Sequence, residues 1–272
     1  MTEEYDKVAA AAAFLERTGV PPEVLVILGT GLGGLGDKLD DPVAVPYEAI
    51  PEFPRSTSPG HSGRLIFGRW AGTSVMVMEG RFHHYEGYSL AQVVRPVRVA
   101  RALGAATLLI TSAVGGLNPH YAAGDIVVID DHINLIGTSP LRGPNDDRIG
   151  PRFPDMSEPY DRALVARAEA LALEMGCKLP RATLAAVGGP QLETRAEYRF
   201  LRRFGTDVVG MSTVPETIAA IHAGLKVCAL SVVTDMCLPD ALEPAVVEEI
   251  IATAKRAAPQ LERLLLGLLR HA

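Results

Sequence analysis

The chain has 272 residues, 48% of them hydrophobic, and a net charge of −6, which is enough apolar material for one large core. No Lys/Arg block breaks the acidic balance, so a nucleic-acid or membrane-surface partner has no electrostatic support and a small-molecule ligand is expected. The acidic start Met1-Thr2-Glu3-Glu4, and the lack of any apolar run near the ~18 residues of a membrane span, predict a cytosolic protein.

The Ala9 to Ala13 run fits a helix that ends at Gly19. The apolar run Val24 to Leu28 reads as a strand, and the Pro- and Gly-rich segment Asp40 to Ser62 as a long loop. Further strands are expected at Leu65 to Phe67, Ser74 to Met78, Thr107 to Thr111, Asp125 to Ile129, Thr183 to Val187, Asp207 to Val209 and Val227 to Val233. Between them, Ser89 caps a helix running toward Gly104 with Pro96 inside it, and Asp161 to Met175 is amphipathic with Gly176 as its stop. Arg195 to Phe204 and Val214 to Ala223 read as helices, and a last one starts from Pro244, where Pro259 either kinks it or begins a second. Strands alternating with helices predict a single α/β domain with a central mixed sheet flanked by helices in three layers. The loop Ile136 to Pro159 mixes anchors and charges in a way that suits an active-site cover or a subunit contact, with a plain surface loop as the alternative. Cys177, Cys228 and Cys237 lack redox or zinc spacing and read as ordinary buried thiols.

Chemistry concentrates where strands end. Gly80-Arg81-Phe82-His83-His84-Tyr85-Glu86-Gly87 leaves the strand Ser74 to Met78. If the period of two persists, Arg81, His83 and Tyr85 point one way and form an anion site with an aromatic wall. The alternative is a surface ion pair between Arg81 and Glu86, with a histidine satisfied by a carbonyl. Gly29-Thr30-Gly31-Leu32-Gly33-Gly34 matches the dinucleotide fingerprint letter for letter. The prolines that follow, at 42, 46, 51 and 54, leave little room for the helix that fold requires. Backbone amides and the Thr30 hydroxyl suit a free phosphate better. Gly115-Gly116 and Gly210-Met211-Ser212-Thr213 close two other strands. In an open α/β sheet such loops face one pocket.

Together with Pro59-Gly60-His61-Ser62-Gly63, Gly115-Gly116-Leu117-Asn118-Pro119, Asp131-His132-Ile133-Asn134, Gly189-Pro190, Glu193-Thr194 and Val214-Pro215-Glu216, these motifs resemble the trimeric purine nucleoside phosphorylases, whose near relatives are the methylthioadenosine phosphorylases. The resemblance implies reversible phosphorolysis of a purine nucleoside by a cytosolic homotrimer of the salvage pathway. It implies inorganic phosphate as co-substrate and no metal or organic cofactor. By similarity, Thr30, His61, Arg81, His83, the amide of Ala113 and Ser212 hold phosphate, and Tyr85 and Met211 hold the sugar. The base lies near Ala113, Leu192, Glu193, Val209, Gly210, Thr234 and Asp235. Phe153 comes from a neighbouring subunit, Val247 sits by the 5′ position, and His83, Glu193 and Asp235 take part in catalysis, with Asp235 or a water it holds tending purine N7.

Four positions depart from the family pattern: Asp235 and Ser112 where asparagine is usual, Val247 where histidine is, and Leu192 where an aromatic is. An ionised Asp235 accepts from a 6-amino group and faces a 6-oxo group unfavourably, whereas an ionised Glu193 accepts from the N1-H of a 6-oxopurine. The two carboxyl groups therefore favour different substrates. Asp235 and Val247 suit a methylthioadenosine or adenosine phosphorylase, and a non-catalytic nucleotide-binding protein is the remote alternative.

Overall fold

The computed structural model describes residues 3–31, 33–57 and 62–270. Leu32 and the segment 58–61, which includes His61, lie outside the described residues. Val24–Leu28 (β1) is buried at all five positions, as a parallel strand covered on both faces must be. It pairs in parallel with Thr73–Glu79 (β4) on one side and Thr107–Gly116 (β5) on the other.

Beyond β4, Arg64–Trp70 (β3) returns antiparallel, and Asp40–Pro46 (β2) forms the sheet edge. The prolines of β2 make it look like loop in the sequence alone. Pro42 and Pro46 are tolerated because the strand has a neighbour on one side alone, and a register shift between Asp40 and Val43 absorbs the irregularity.

Past the end of β1, Val208–Gly210 (β8) takes the same flank of β5, antiparallel at Gly115 and Gly116, while Lys226–Met236 (β9) runs parallel along the opposite flank. β8 pairs with Arg181–Ala186 (β7), β7 with Ile126–Asn134 (β6), and β6 with β9. The mixed sheet is therefore open from β2 to β1 and closed into a ring of five strands from β5 onward. Ring closure explains why β5, β6 and β9 run five, five and three residues beyond their expected ends: the added residues find ladder partners, those of β5 in β8 and β9, those of β6 in β7 and those of β9 in β5.

Among the described residues six helices flank the sheet: Glu3–Leu15 (α1), Leu90–Ala102 (α2), Arg162–Glu174 (α3), Arg195–Arg203 (α4), Val214–His222 (α5) and Val247–Leu269 (α6). Ser89 caps α2 and Asp161 caps α3, as their side chains predict. α2 packs against α1 and α5, and α3 against α6. Helix α6 is one continuous element with Pro259 inside it, and it starts at Val247, three residues after Pro244. Between β6 and α3 the segment 135–160 contains no helix or strand.

Candidate active site

Along β4 the extended backbone ends at Glu79, and Gly80 turns with φ +104°, a conformation that favours glycine. His83 is extended again and 84–86 make a single 3-10 turn. The strict strand alternation therefore does not persist. Arg81, His83 and Tyr85 nevertheless line one cavity, and the His83 and Tyr85 rings stack with centroids 4.6 Å apart.

Arg81 is 1% exposed. Its guanidinium lies 3.4 Å from Glu216 and donates to the Thr111 carbonyl. Glu86 pairs with His83 instead, accepting from its backbone amide at 2.8 Å and meeting Nδ1 at 2.9 Å. The surface pair Arg81–Glu86 does not form. Burial alone would raise the Glu86 pKa, but hydrogen bonds from His83 and Thr57 outweigh it and bring it to about 2. The ionised carboxylate holds a proton on His83 Nδ1 and so orients Nε2. His84 is the histidine satisfied by a carbonyl, that of Tyr88 at 2.8 Å.

The glycine-rich turn after β1 is not followed by a Rossmann helix. Thr30 lines the cavity. Two of the turn's amides are spent inside the protein: Gly29 donates to the Thr111 hydroxyl at 3.0 Å and Gly34 to the buried Glu79 carboxylate at 2.7 Å. The expectation that these amides cradle an anion is corrected for those two. Ser212, in the turn between β8 and α5, completes this end of the cavity with Thr30, Arg81 and His83.

At the opposite end stand Glu193, just before the α4 cap Thr194, and Asp235, near the end of β9. The pairing of Gly115 with Asp235 brings β5 and β9 so close that a Cβ on Gly115 would sit 2.5 Å from the Cys237 sulfur. These glycines serve strand contact rather than anion binding. Asp235 Oδ1 accepts from the Thr234 hydroxyl at 2.8 Å and Oδ2 from the Cys237 thiol at 3.3 Å. Glu193 has a raised pKa, chiefly through burial, against which a Tyr198 hydrogen bond acts. Burial, followed by the nearby Asp235 charge, pushes the Cys237 thiol up to about 12, which keeps it a protonated donor. Tyr198 and Cys237 are thus site residues that the sequence reading missed. The signal for Tyr198 was its place one helical turn after Thr194, on the buried face of α4. Cys237 carried none, because its role depends on a partner two residues back being turned toward it.

The cavity, about 170 Å3, therefore collects Thr30, Arg81, His83, Tyr85, Ala113, Leu192, Glu193, Val209, Gly210, Met211, Ser212, Thr234 and Asp235. It adjoins a cleft of about 860 Å3 beside α6, which shares the walls Glu193, Tyr198 and Asp235. Two of the expected nucleoside contacts stand outside it. Phe153 is 87% exposed, and Val247 is 59% exposed on the first turn of α6. Ile250, three residues further along the helix, takes the wall position instead. Ser112 also lines the cavity, with its hydroxyl 2.7 Å from that of Ser231. No cluster with metal-ligating composition occurs among the described residues.

A family model described as the phosphorylase superfamily matches residues 23–270. Purine nucleoside phosphorylase 1 of Bacillus subtilis (strain 168) is 46% identical over 253 residues, spanning 92% of this chain and 93% of that protein. A Schistosoma purine nucleoside phosphorylase solved with hypoxanthine superposes with a TM-score of 0.93 at 40% identity, covering 98% of each chain. The Schistosoma mansoni enzyme solved with adenosine gives the same values.

Proposed function

The chain belongs to the phosphorylase superfamily, and from that premise we infer that it is a purine nucleoside phosphorylase, a pentosyltransferase that cleaves a purine nucleoside with inorganic phosphate to free base and pentose 1-phosphate. The observation that carries the assignment is one cavity with two chemically opposite ends, cation and hydroxyls at one, two carboxyl groups at the other. Glycosidic cleavage passes through an oxocarbenium-like state in which the sugar becomes positive and the departing purine negative. A phosphate oxygen forms the new bond to C1′ as the bond to N9 breaks, and the electron pair leaves with the base.

Arg81, His83, Thr30 and Ser212 hold the nucleophile beneath C1′, and a guanidinium fork suits that duty better than an ammonium. Tyr85 and Met211 hold the sugar. A water held by the Asp235 carboxylate gives N7 the proton it takes up and is reprotonated from solvent, and Glu193 binds the base edge. No metal or organic cofactor enters the scheme.

A finer reading concerns the base. Asp235 receives donors from Thr234 and Cys237 on its two oxygens, which supports its acting as an acceptor toward a 6-amino group. We therefore place adenosine-type nucleosides among the substrates. The exposed Phe153, far from filling its own cavity, supports a trimer in which it covers a neighbour's sugar site. A cytosolic location completes the reading.

The test is base release from inosine, guanosine, adenosine and methylthioadenosine with and without phosphate. Release should require phosphate and yield a pentose 1-phosphate. Release that ignores phosphate would identify a hydrolase and refute the assignment.

A further inference from the structure

We propose that Glu216 is the resident counter-ion of Arg81 and sets the phosphate affinity of the site without touching the anion. The inference rests on Arg81 being a phosphate ligand. Both side chains are almost wholly buried, with residue exposures of 1% and 2%. A guanidinium taken out of water this completely needs a compensating charge whether or not a ligand is present. Burial lowers the Arg81 pKa, and Glu216 is the foremost of the groups that oppose this, ahead of Tyr85 and Tyr47.

The geometry separates this pair from the chain's tightest structural ion pairs. Arg64 meets Glu79 at 2.6 Å, and Arg95 meets Glu4 through two bonds of 2.8 and 3.1 Å, which are distances of closed, charge-assisted hydrogen bonds. Arg81 and Glu216 stand 3.4 Å apart. At that length the carboxylate still neutralises the cation, because charge attraction falls off slowly with distance, but it gives little directional bonding. The second carboxylate oxygen of Glu216 is buried and makes no hydrogen bond to the protein, an arrangement that costs stability and calls for an explanation. It sits in the first turn of α5.

Glu216 does not line the cavity, yet it lies four residues after Ser212. It therefore ties the β8–α5 turn to the end of β4, two segments that each supply a phosphate group contact. Thr111 makes the matching tie on the other side. Its carbonyl accepts from Arg81, and its hydroxyl accepts from Gly29 at 3.0 Å, at the start of the turn that carries Thr30.

A consequence for turnover follows. Incoming phosphate and departing pentose 1-phosphate present the same anionic group to Arg81. A guanidinium with no resident anion would bind each tightly and release product slowly. Sharing Arg81 with Glu216 weakens the hold on each.

Glu216→Gln keeps the shape and removes the charge. The apparent KM for phosphate should fall at least about fivefold, inhibition by pentose 1-phosphate should tighten in parallel, and the KM for nucleoside should change less than about twofold. Glu216→Asp restores the charge and should return the phosphate KM toward the wild-type value. Phosphate should raise the Tm of Glu216→Gln more than that of the wild type, since the ligand then becomes the main counter-ion. An unchanged or raised phosphate KM in Glu216→Gln overturns the proposal, as does a variant that fails to fold even with phosphate present. A variant that folds only with phosphate supports it. A wild-type reaction that shows no saturation by phosphate would instead remove the phosphorylase reading on which the inference stands.

Discussion

Asp235→Asn is the sharpest perturbation of base recognition, because it exchanges one oxygen for an amino group and changes almost nothing in volume. In the wild-type chain Oδ1 accepts from the Thr234 hydroxyl at 2.8 Å and Oδ2 from the Cys237 thiol at 3.3 Å. An amide can satisfy only one of these donors. The hydroxyl is the stronger and nearer, so the amide oxygen should stay with Thr234 and the amino group should replace Oδ2. An acceptor in the base-binding end of the cavity thereby becomes a donor. Losing a hydrogen bond from a purine 6-amino group to a charged acceptor, and facing it with a donor, is worth about 2 kcal/mol, or roughly thirtyfold in relative kcat/KM. Steady-state kinetics on adenosine and inosine at saturating phosphate, for wild type and variant, measure the change directly. The adenosine-to-inosine ratio should fall by that factor. A ratio unchanged within about twofold would show that Asp235 does not read the 6-substituent and would refute the orientation assigned to the base.

Arg81→Ala should raise the apparent KM for phosphate far more than that for nucleoside, and equal effects would place Arg81 away from the phosphate. The same variant leaves Glu216 buried without its cation, so a stability loss of about 3–5 kcal/mol should appear in urea titrations, and no loss would contradict the buried pair. Glu86 has a folded pKa of about 2 against an ordinary 4.5; its stabilisation is therefore complete above the ordinary value and lost as pH falls through the folded one. The wild-type urea midpoint should drop more steeply than that of Glu86→Gln between about pH 5 and about pH 3, and parallel curves would exclude the linkage. Phe153→Ala should raise the nucleoside KM and leave the phosphate KM alone if the side chain serves a neighbouring subunit; an unaltered nucleoside KM would deny it that place.

What the sequence disclosed depended on how far apart the partners are in the chain. Strands β1 and β4 were legible because their apolar runs are local, and Arg81, His83 and Tyr85 because they follow one strand within a few residues. The edge strand β2 was hidden by Pro42 and Pro46, whose cost vanishes where one side of a strand has no neighbour. The amides of Gly29 and Gly34 looked available for an anion, because their acceptors, Thr111 and Glu79, lie 82 and 45 residues away. Glu216 was invisible as a partner of Arg81 for the same reason, at a separation of 135 residues. The misplaced wall contact at Val247 is an offset along α6 on nearly the same face of the helix. Three residues, close to one turn, separate it from Ile250, and how far along the helix the wall falls is fixed by packing of α6 rather than by the residues at its start.

The strand β5 explains why two opposite chemistries meet at a fixed distance. Thr111 holds Arg81 through its carbonyl, and Gly115 pairs with Asp235 across to β9. Four residues of extended chain separate these anchors, about 13 Å, a span that holds a phosphate, a sugar carbon and a purine in line. Because β5 has β1 and then β8 along one flank and β9 along the other, it cannot shift without breaking ladders on each side. Charge developing on sugar and base during cleavage therefore meets groups already in position, and the reorganisation that water would require is avoided. The five-strand ring is what makes this rigidity possible. An open sheet would leave β9 as an edge, and Asp235 would then sit on the least constrained strand of the fold instead of one paired on both sides.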